Sequence, residues 1–208
     1  FLLESAAFAP TIKASILLGA GGTTAQGYID FATAQAGCGG AQTAPYAACF
    51  NPFVQYLTST GNTAAVAALN AAFTQFAFAA QTVTDSGDPN NFASTFVATA
   101  TPAYINEVVG NGADSPPDQV IPNKAEMPLA GTEPLARLLG ATAVNNVAGT
   151  YPVTGTSLSR FIAGEHGSLL RPTVPAVTTE MQTQTVSFLL SRGAGLSVAN
   201  GAVMAPAN

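Results

Sequence analysis

The sequence predicts an α/β protein, and three observations support that prediction. Two short β-rich runs, residues 104–109 and 158–162, each lead into a loop of glycines and polar residues. Before them, residues 63–83 carry apolar side chains at three- and four-residue steps, as expected of a helix. A second helical pattern, at residues 178–191, follows the later run. In open α/β sheets the functional residues lie where strands end, so chemistry is expected in the two loops.

The later loop, residues 164–170, contains the only histidine of the 208-residue chain. His166 lies there between two glycines, just after a predicted strand. Histidine takes up and releases protons near neutral pH, so His166 is a candidate general base. A loop histidine that only bonds to neighbouring backbone groups is the alternative.

The earlier loop supplies a candidate partner, Asp118, which also follows a predicted strand. A carboxylate on a neighbouring loop can hold a histidine in one tautomer and one orientation. Asp118 precedes His166 by 48 positions, and the order acid then histidine matches that of α/β-hydrolases. An aspartate that only caps a turn is the alternative.

The composition argues against nucleic acid as a partner and favours a secreted or cell-surface location. Hydrophobic residues make up 48% of the chain, enough for a sizeable core, whereas only 8% are charged. With six Lys and Arg and a formal net charge of −5, the chain has no basic surface for nucleic acid. A surface of small polar residues is common in secreted proteins, so we expect a secreted or cell-surface protein. We expect no cofactor.

The two cysteines, Cys38 and Cys49, lie in a glycine- and alanine-rich stretch that is predicted to be an irregular loop. A disulfide between them would close a short loop and stabilise the fold by about 3 kcal/mol, in keeping with an oxidising compartment. Two free buried thiols are the alternative. A metal site is not expected, because no second pair of cysteines or histidines completes a tetrahedral set.

Taken in order, the chain begins with a predicted short helix at residues 12–18, which a cluster of glycines ends. Residues 23–60 are predicted to form short helices and loops without a strand. After the helix at residues 63–83, a run of turn residues at 84–91 breaks the chain. No apolar run reaches the ~18 to 20 residues of a membrane-spanning helix, so no transmembrane segment is expected.

The last third of the chain contains two further predicted elements. Residues 131–140 are predicted to form a short helix with Thr132 as its N-cap, and residues 196–203 a final strand. The chain starts without a methionine or a signal peptide, so we expect its numbering to begin inside a longer precursor.

A histidine and an aspartate need a nucleophile before they form a hydrolase. The Gly-x-Ser-x-Gly motif that exposes a catalytic serine is absent. The nearest match places Ser157 at the start of the strand that leads to His166, the wrong end for a nucleophile. Ser168 is too close to His166 along the chain to be the catalytic serine, and it is predicted to cap or orient the loop.

Three segments carry a family resemblance: residues 85–92, residues 118–123 with 131–135, and residues 164–170 with 180–182. They resemble the C-terminal half of the bacterial virulence-factor-type extracellular lipases, which are α/β-hydrolases. The resemblance covers roughly residues 1–203, and the segment around His166 is its most specific part. Members of this family use a serine triad on acyl esters, including phospholipids and lysophospholipids.

The resemblance implies that the chain is the C-terminal part of an α/β-hydrolase sheet with a helical, lid-like insertion. Residues 1–100 would be the insertion, with the cysteine loop, and residues 101–208 the C-terminal half of the core. His166 would be the catalytic base and Asp118 the triad acid. The nucleophile and the oxyanion hole would lie upstream of Phe1, on the N-terminal half of the same precursor. That half is an expected partner, beside a lipid or other acyl-ester substrate.

A lid needs apolar surface that can face lipid when it opens. Five phenylalanines could supply it, although core packing is the default expectation for each: Phe50, Phe53, Phe73, Phe76 and Phe78. The alternative function is a non-catalytic secreted or surface domain that binds lipid or protein through its apolar helices. The hydrolase interpretation requires an oxygen of Asp118 within about 2.6 to 3.2 Å of His166 Nδ1, whereas the binding domain does not.

Overall fold

The computed structural model describes residues 15–18, 52–112, 114–118, 120–121, 123 and 131–207. Its strands and helices follow one another in the order β1 (Ser15–Leu18), α1 (Pro52–Ser59), α2 (Thr63–Thr84), α3 (Pro89–Ala98), β2 (Ala103–Val108), α4 (Thr132–Leu138), β3 (Thr142–Ala143), β4 (Gly149–Pro152), β5 (Thr156–Phe161), α5 (Pro175–Leu190) and β6 (Gly195–Val198). Short 3₁₀ turns lie at Asp85–Gly87 and Gly201–Val203.

Four of these strands form a parallel sheet in the order β1-β2-β5-β3. Tyr104 lies opposite Ile16 on one side and Ser157 on the other, so β2 is paired along both edges. Parallel strands that alternate with helices confirm the predicted α/β class. β4 and β6 pair antiparallel in a separate small sheet, and β6 confirms the predicted last strand, although it ends at Val198.

The first strand corrects the prediction of a helix at residues 12–18, because Ser15–Leu18 pairs in parallel with β2. A run of so few apolar residues is equally consistent with a buried strand and with a piece of helix, and here pairing with β2 decides. One strand from residues 1–100 therefore belongs to the same sheet as β2 and β5. The division of the chain at residue 100 stays a prediction.

The core has one cluster on each face of the sheet, because β2 is buried along its whole length and its side chains alternate. Ala103 and Ile105 pack on the face covered by α3 and α4, with Ala93, Phe96, Leu135, Ala136, Leu139 and Leu158. Tyr104 and Val108 pack on the face covered by α5 and β6, with Val144, Phe161, Val177, Met181, Phe188, Leu196, Val198 and Met204. Asn106 and Glu107, the two polar residues at the end of β2, thus face opposite sides of the sheet.

Helix α3 lies partly in the segment that was predicted only as a chain break. Asp88 caps it, since Asp88 Oδ1 accepts a hydrogen bond from Asn90 N at 2.9 Å, and Pro89 occupies the first turn. An aspartate followed by proline starts a helix as readily as it makes a turn, because the carboxylate accepts from an N–H of the first turn and proline has no N–H that needs a partner. The break itself is only the 3₁₀ turn Asp85–Gly87 between α2 and α3.

Helix α2 confirms the long helix that the apolar spacing predicted, but its described side chains do not form a core helix. Phe76 and Phe78 are 60% and 76% exposed, so core packing is the wrong expectation for these two residues. The window Thr63–Ala80 has a mean hydropathy of 1.3, and none of its residues whose burial is described is buried. By length and composition this window could span a membrane, so the expected absence of a transmembrane segment stays a prediction.

Candidate acid and base site

Two loops bring the predicted site residues together at the carboxyl ends of β2 and β5. After β2, Asp118 N donates to Val108 O at 3.0 Å, and Asn123 Nδ2 donates to the same oxygen at 2.6 Å. The chain turns back at Gly110, where φ is 68° and a Cβ would collide with Ser115 O. This turn returns Asp118 to the end of the strand that precedes it.

The histidine loop is closed by hydrogen bonds that involve Ser168. Glu165 N donates to Ser168 Oγ at 2.7 Å, and Ser168 N donates to Glu165 O at 3.0 Å. From α5, the Thr178 hydroxyl donates to Ser168 O at 2.6 Å. Gly164 has a φ of 120°, and a Cβ there would lie 2.7 Å from Ser168 Oγ, so only glycine fits. Ser168 therefore orients the loop, as predicted.

The pair itself is formed, because His166 Nδ1 lies 2.9 Å from Asp118 Oδ2, within the range that the hydrolase interpretation requires. The other oxygen, Asp118 Oδ1, accepts hydrogen bonds from the backbone N–H groups of Val120 at 2.7 Å and Ile121 at 3.1 Å. Asp118 thus caps a turn and also pairs with the histidine, so both of the roles considered for it from the sequence are present at once. Turning the carboxylate away from the imidazole would break all three hydrogen bonds.

The two side chains of the pair differ in exposure. Only 4% of the Asp118 side chain is accessible, against 38% of the His166 side chain. A buried carboxylate that accepts a hydrogen bond from Nδ1–H favours the tautomer with its proton on Nδ1 and leaves Nε2 as the free base. The pair can therefore take up a proton at Nε2 and stabilise the imidazolium that forms.

Next to the pair, β2, β5 and α5 share a buried polar network that the sequence did not predict. The hydroxyl of Tyr104 lies 2.7 Å from Asn106 Oδ1 and 2.6 Å from Gln184 Oε1. Ser159 donates to the same Gln184 oxygen at 2.7 Å, and Gln184 Nε2 donates to Glu180 Oε1 at 2.6 Å. Burial raises the pKa of Tyr104, so the phenol keeps its proton. Polar residues inside otherwise apolar runs were the signal that could have revealed this network.

The opposite face of the sheet carries a cluster of charged side chains. Arg160 donates to Glu133 through Nε at 2.6 Å and through Nη2 at 2.8 Å. The same Nε lies 3.2 Å from Glu107 Oε2, but neither oxygen of Glu107 accepts a well-aligned hydrogen bond. The side chain of Glu107 is fully buried, and this burial, together with the charge of Glu133, raises the pKa of Glu107 to about 8.

The remaining candidates fall into three groups. Ser157 is buried near the start of β5, which confirms that it lies at the wrong end of the strand for a nucleophile. Cys38 and Cys49, the predicted disulfide, lie outside the described residues. Among the described residues, no group of three His, Cys, Asp or Glu side chains could hold a metal ion.

No protein-family model, curated protein or solved structure matches the chain. The resemblance to the bacterial extracellular lipases thus stays a hypothesis. What the molecule itself supplies is a parallel α/β sheet and, at the end of two neighbouring strands, a hydrogen-bonded Asp118–His166 pair.

Proposed function

We propose that the chain is the acid and base part of a secreted serine ester hydrolase that acts on acyl esters such as lipids. The proposal rests on the 2.9 Å contact between His166 Nδ1 and Asp118 Oδ2. The acid follows one parallel strand and the histidine follows its neighbour, an arrangement typical of a triad built on an α/β sheet. A buried acid that orients a more exposed histidine suits proton exchange with a group outside this chain.

In the proposed reaction, His166 Nε2 takes the proton of a serine hydroxyl while the serine oxygen attacks the carbonyl carbon of the ester. The imidazolium then gives that proton to the departing alcohol oxygen, and Asp118 stabilises its charge throughout. In the second half, His166 takes a proton from water as the water attacks the acyl-serine, and returns a proton to the serine oxygen as the acid leaves. Backbone N–H groups on the partner would stabilise the oxyanion.

The nucleophile and the oxyanion hole are proposed to come from the N-terminal half of the same precursor. Within the described residues β1 is the end strand of the parallel sheet and pairs only with β2. An unpaired strand edge is a template for a further strand. A parallel strand added to β1 would end at the same edge of the sheet as β2 and β5, so the residue that follows it would approach His166.

Helix α2 is proposed to be part of a lid over the acyl chain. Phe76, Phe78 and Val83 are more than half exposed, and no charged residue interrupts the sequence of Thr63–Thr84. Exposed apolar surface of this kind marks contact with other apolar groups. An acyl chain or a lipid surface would cover these side chains when the lid opens.

The experiment is an ester-hydrolysis assay on the native protein with any polypeptide that co-purifies with it. Intact-mass analysis identifies a second chain, and cleavage of a p-nitrophenyl ester measures turnover. His166→Ala is expected to lower kcat on the order of 10⁴-fold or more, because the serine loses its base. Asp114→Ala, which removes an exposed carboxylate of the same loop as Asp118, is the control and leaves turnover unchanged. Full turnover in the His166→Ala protein would refute the proposal.

The second candidate is the non-catalytic binding domain, which the exposed apolar side chains of α2 favour. In that case the native protein binds phospholipid vesicles and cleaves no ester, whether or not His166 is present. Replacing Phe76 and Phe78 by serine would then weaken vesicle binding, since the two exposed rings supply the contact.

A further inference from the structure

A small cavity with both polar and apolar walls lies against the His166–Asp118 pair. Besides these two residues, its wall consists of Asn106, Val108, Glu165, Leu169 and Met181. The centre of a water molecule can move within about 10 Å³ of this cavity. That is the room that one water molecule needs and far less than an acyl chain requires.

Two atoms among these wall residues are buried and have no hydrogen-bond partner, namely Asn106 Nδ2 and Glu165 Oε1. The amide nitrogen is a donor, whereas the carboxylate oxygen is an acceptor. Arg171 Nη1 lies 3.7 Å from Glu165 Oε1, which is too far for a hydrogen bond. The residues of the cavity wall thus include one donor and one acceptor that make no hydrogen bond, although Arg171 forms a long ion pair with the acceptor, and buried polar atoms as a rule have hydrogen-bond partners.

The unused amide of Asn106 is held in its place by the buried network. Asn106 Oδ1 lies 2.7 Å from the hydroxyl of Tyr104, which Gln184 Oε1 in turn approaches at 2.6 Å. Asn106 as a whole is only 4% exposed. The amide is therefore shielded from bulk water by its neighbours, and Asn106 lies in the wall of the cavity.

We propose that one ordered water molecule fills this cavity and bridges strand β2 to the histidine loop. Its oxygen accepts a hydrogen bond from Asn106 Nδ2, and one of its protons is donated to Glu165 Oε1. A bridging water is nearly as favourable as a direct hydrogen bond, and it satisfies both atoms at once. The bridge fixes Glu165, the residue before His166, and so holds the imidazole against Asp118. Asn106 and Glu165 are then positioning residues, and this inference rests on the proposed function.

The single histidine makes the test direct, because its Nδ1 proton gives one resonance in the proton NMR spectrum. Asn106→Leu removes the donor and fills the cavity, whereas Glu165→Leu removes the acceptor. Each change is expected to make the Nδ1 proton exchange with solvent about two- to tenfold faster, as for the loss of one hydrogen bond. Glu165→Gln keeps an oxygen acceptor and is expected to behave like the wild type. Asn145→Leu, at an exposed asparagine outside the cavity wall, is the control.

A second measurement detects the water itself. Cross-relaxation between the side-chain amide protons of Asn106 and a long-lived water molecule is expected in the wild type and should be lost in Glu165→Leu. Unchanged proton exchange in both leucine variants, or no cross-relaxation in the wild type, overturns the bridge. If Asn106→Leu does not fold, Glu165→Leu carries the test, because the Glu165 side chain is 40% exposed.

One further variant separates this inference from the proposed function. Asp118→Asn removes the charged acceptor of the Nδ1 proton, so the wild-type resonance is expected to disappear. If Asp118→Asn leaves the resonance unchanged, the assignment of the acid and base pair fails. If Asp118→Asn abolishes it while both leucine variants behave like the wild type, only the water bridge fails.

Discussion

Asn106 and Glu107 are neighbours on β2, but they face opposite sides of the sheet and meet different chemistry. Asn106 joins, through Tyr104 and Gln184, a network of hydroxyl and amide groups that ends at the carboxyl group of Glu180. Glu107 meets a guanidinium, Arg160, that already binds a second carboxylate. Both are buried, with 4% and 1% of their surface exposed. One strand thus buries polar groups in two settings, one within a hydrogen-bonded network and one beside an ion pair, and the raised pKa of Glu107 makes the second setting depend on pH.

The largest effect is expected from removing the cation of the charged face. Arg160→Leu removes both hydrogen bonds between the guanidinium and the Glu133 carboxylate and leaves the buried Glu107 without its cation, and this loss costs about 3 kcal/mol. Urea unfolding measures the loss. Arg137→Leu, on the exposed side of α4, is the control and is expected to change stability by less than about 1 kcal/mol. Equal effects of the two substitutions would contradict the role given to Arg160.

The charged face is also expected to make stability depend on pH. The pKa of Glu107 is about 8 in the folded chain, against an ordinary value of 4.5. Between these values the folded state binds more protons than the unfolded state, so the free energy of unfolding falls as the pH rises from 4.5 to about 8. Glu107→Gln keeps the shape of the side chain and cannot ionise. Above pH 8, where Glu107 of the wild type is ionised in its buried position, this variant should be more stable than the wild type.

Urea unfolding at a series of pH values tests this second prediction. The difference between the variant and the wild type should grow steadily as the pH rises from 4.5 to about 8. A constant difference over the whole series would show that Glu107 is already ionised at the acid end.

The smallest effect is expected on the face that carries Tyr104. Tyr104→Phe removes one hydroxyl from the buried network and should lower the free energy of unfolding by about 1 kcal/mol. Because burial raises the pKa of Tyr104, the loss should be the same at every pH at which Glu107→Gln shows its change. Tyr151→Phe, which removes an exposed hydroxyl that donates to Val147 O, is the matched control, with an effect below about 0.5 kcal/mol. A loss in Tyr104→Phe that follows the titration of Glu107 would mean that the two faces are not independent.

The two strands that carry the site could be predicted because each is a short apolar run with glycines and polar residues after it. The pairing of Asp118 with His166 followed from a general rule, since parallel strands end at the same edge of a sheet. The polar network on one face of the sheet and the charged cluster on the other could not be predicted in this way. Glu107 meets Arg160 because the register of β2 and β5 places them opposite each other, and register depends on long-range packing.

The wrong or missing predictions have one cause in common, namely that a short stretch of sequence is compatible with more than one structure. β1 is too short for its apolar spacing to distinguish a strand from a helix. Helix α3 begins with the aspartate and proline that also end helices and make turns. The N-cap of α4 is Gly131 and not Thr132, because Gly131 adopts a φ of 104° that threonine disfavours. In each case the local sequence is compatible with two structures, and a partner strand, a packing contact or the backbone conformation determines which one forms.

The position of β2 determines which parts of the molecule can open or move. Because this strand has partners on both edges and a packed layer on both faces, its amide hydrogens should take up deuterium only when the whole sheet opens. The amides of α2, whose described side chains are largely exposed, should be labelled through local opening long before that. We therefore expect α2 and the loops to change conformation when a molecule binds, whereas β2, the strand that precedes Asp118, stays rigid.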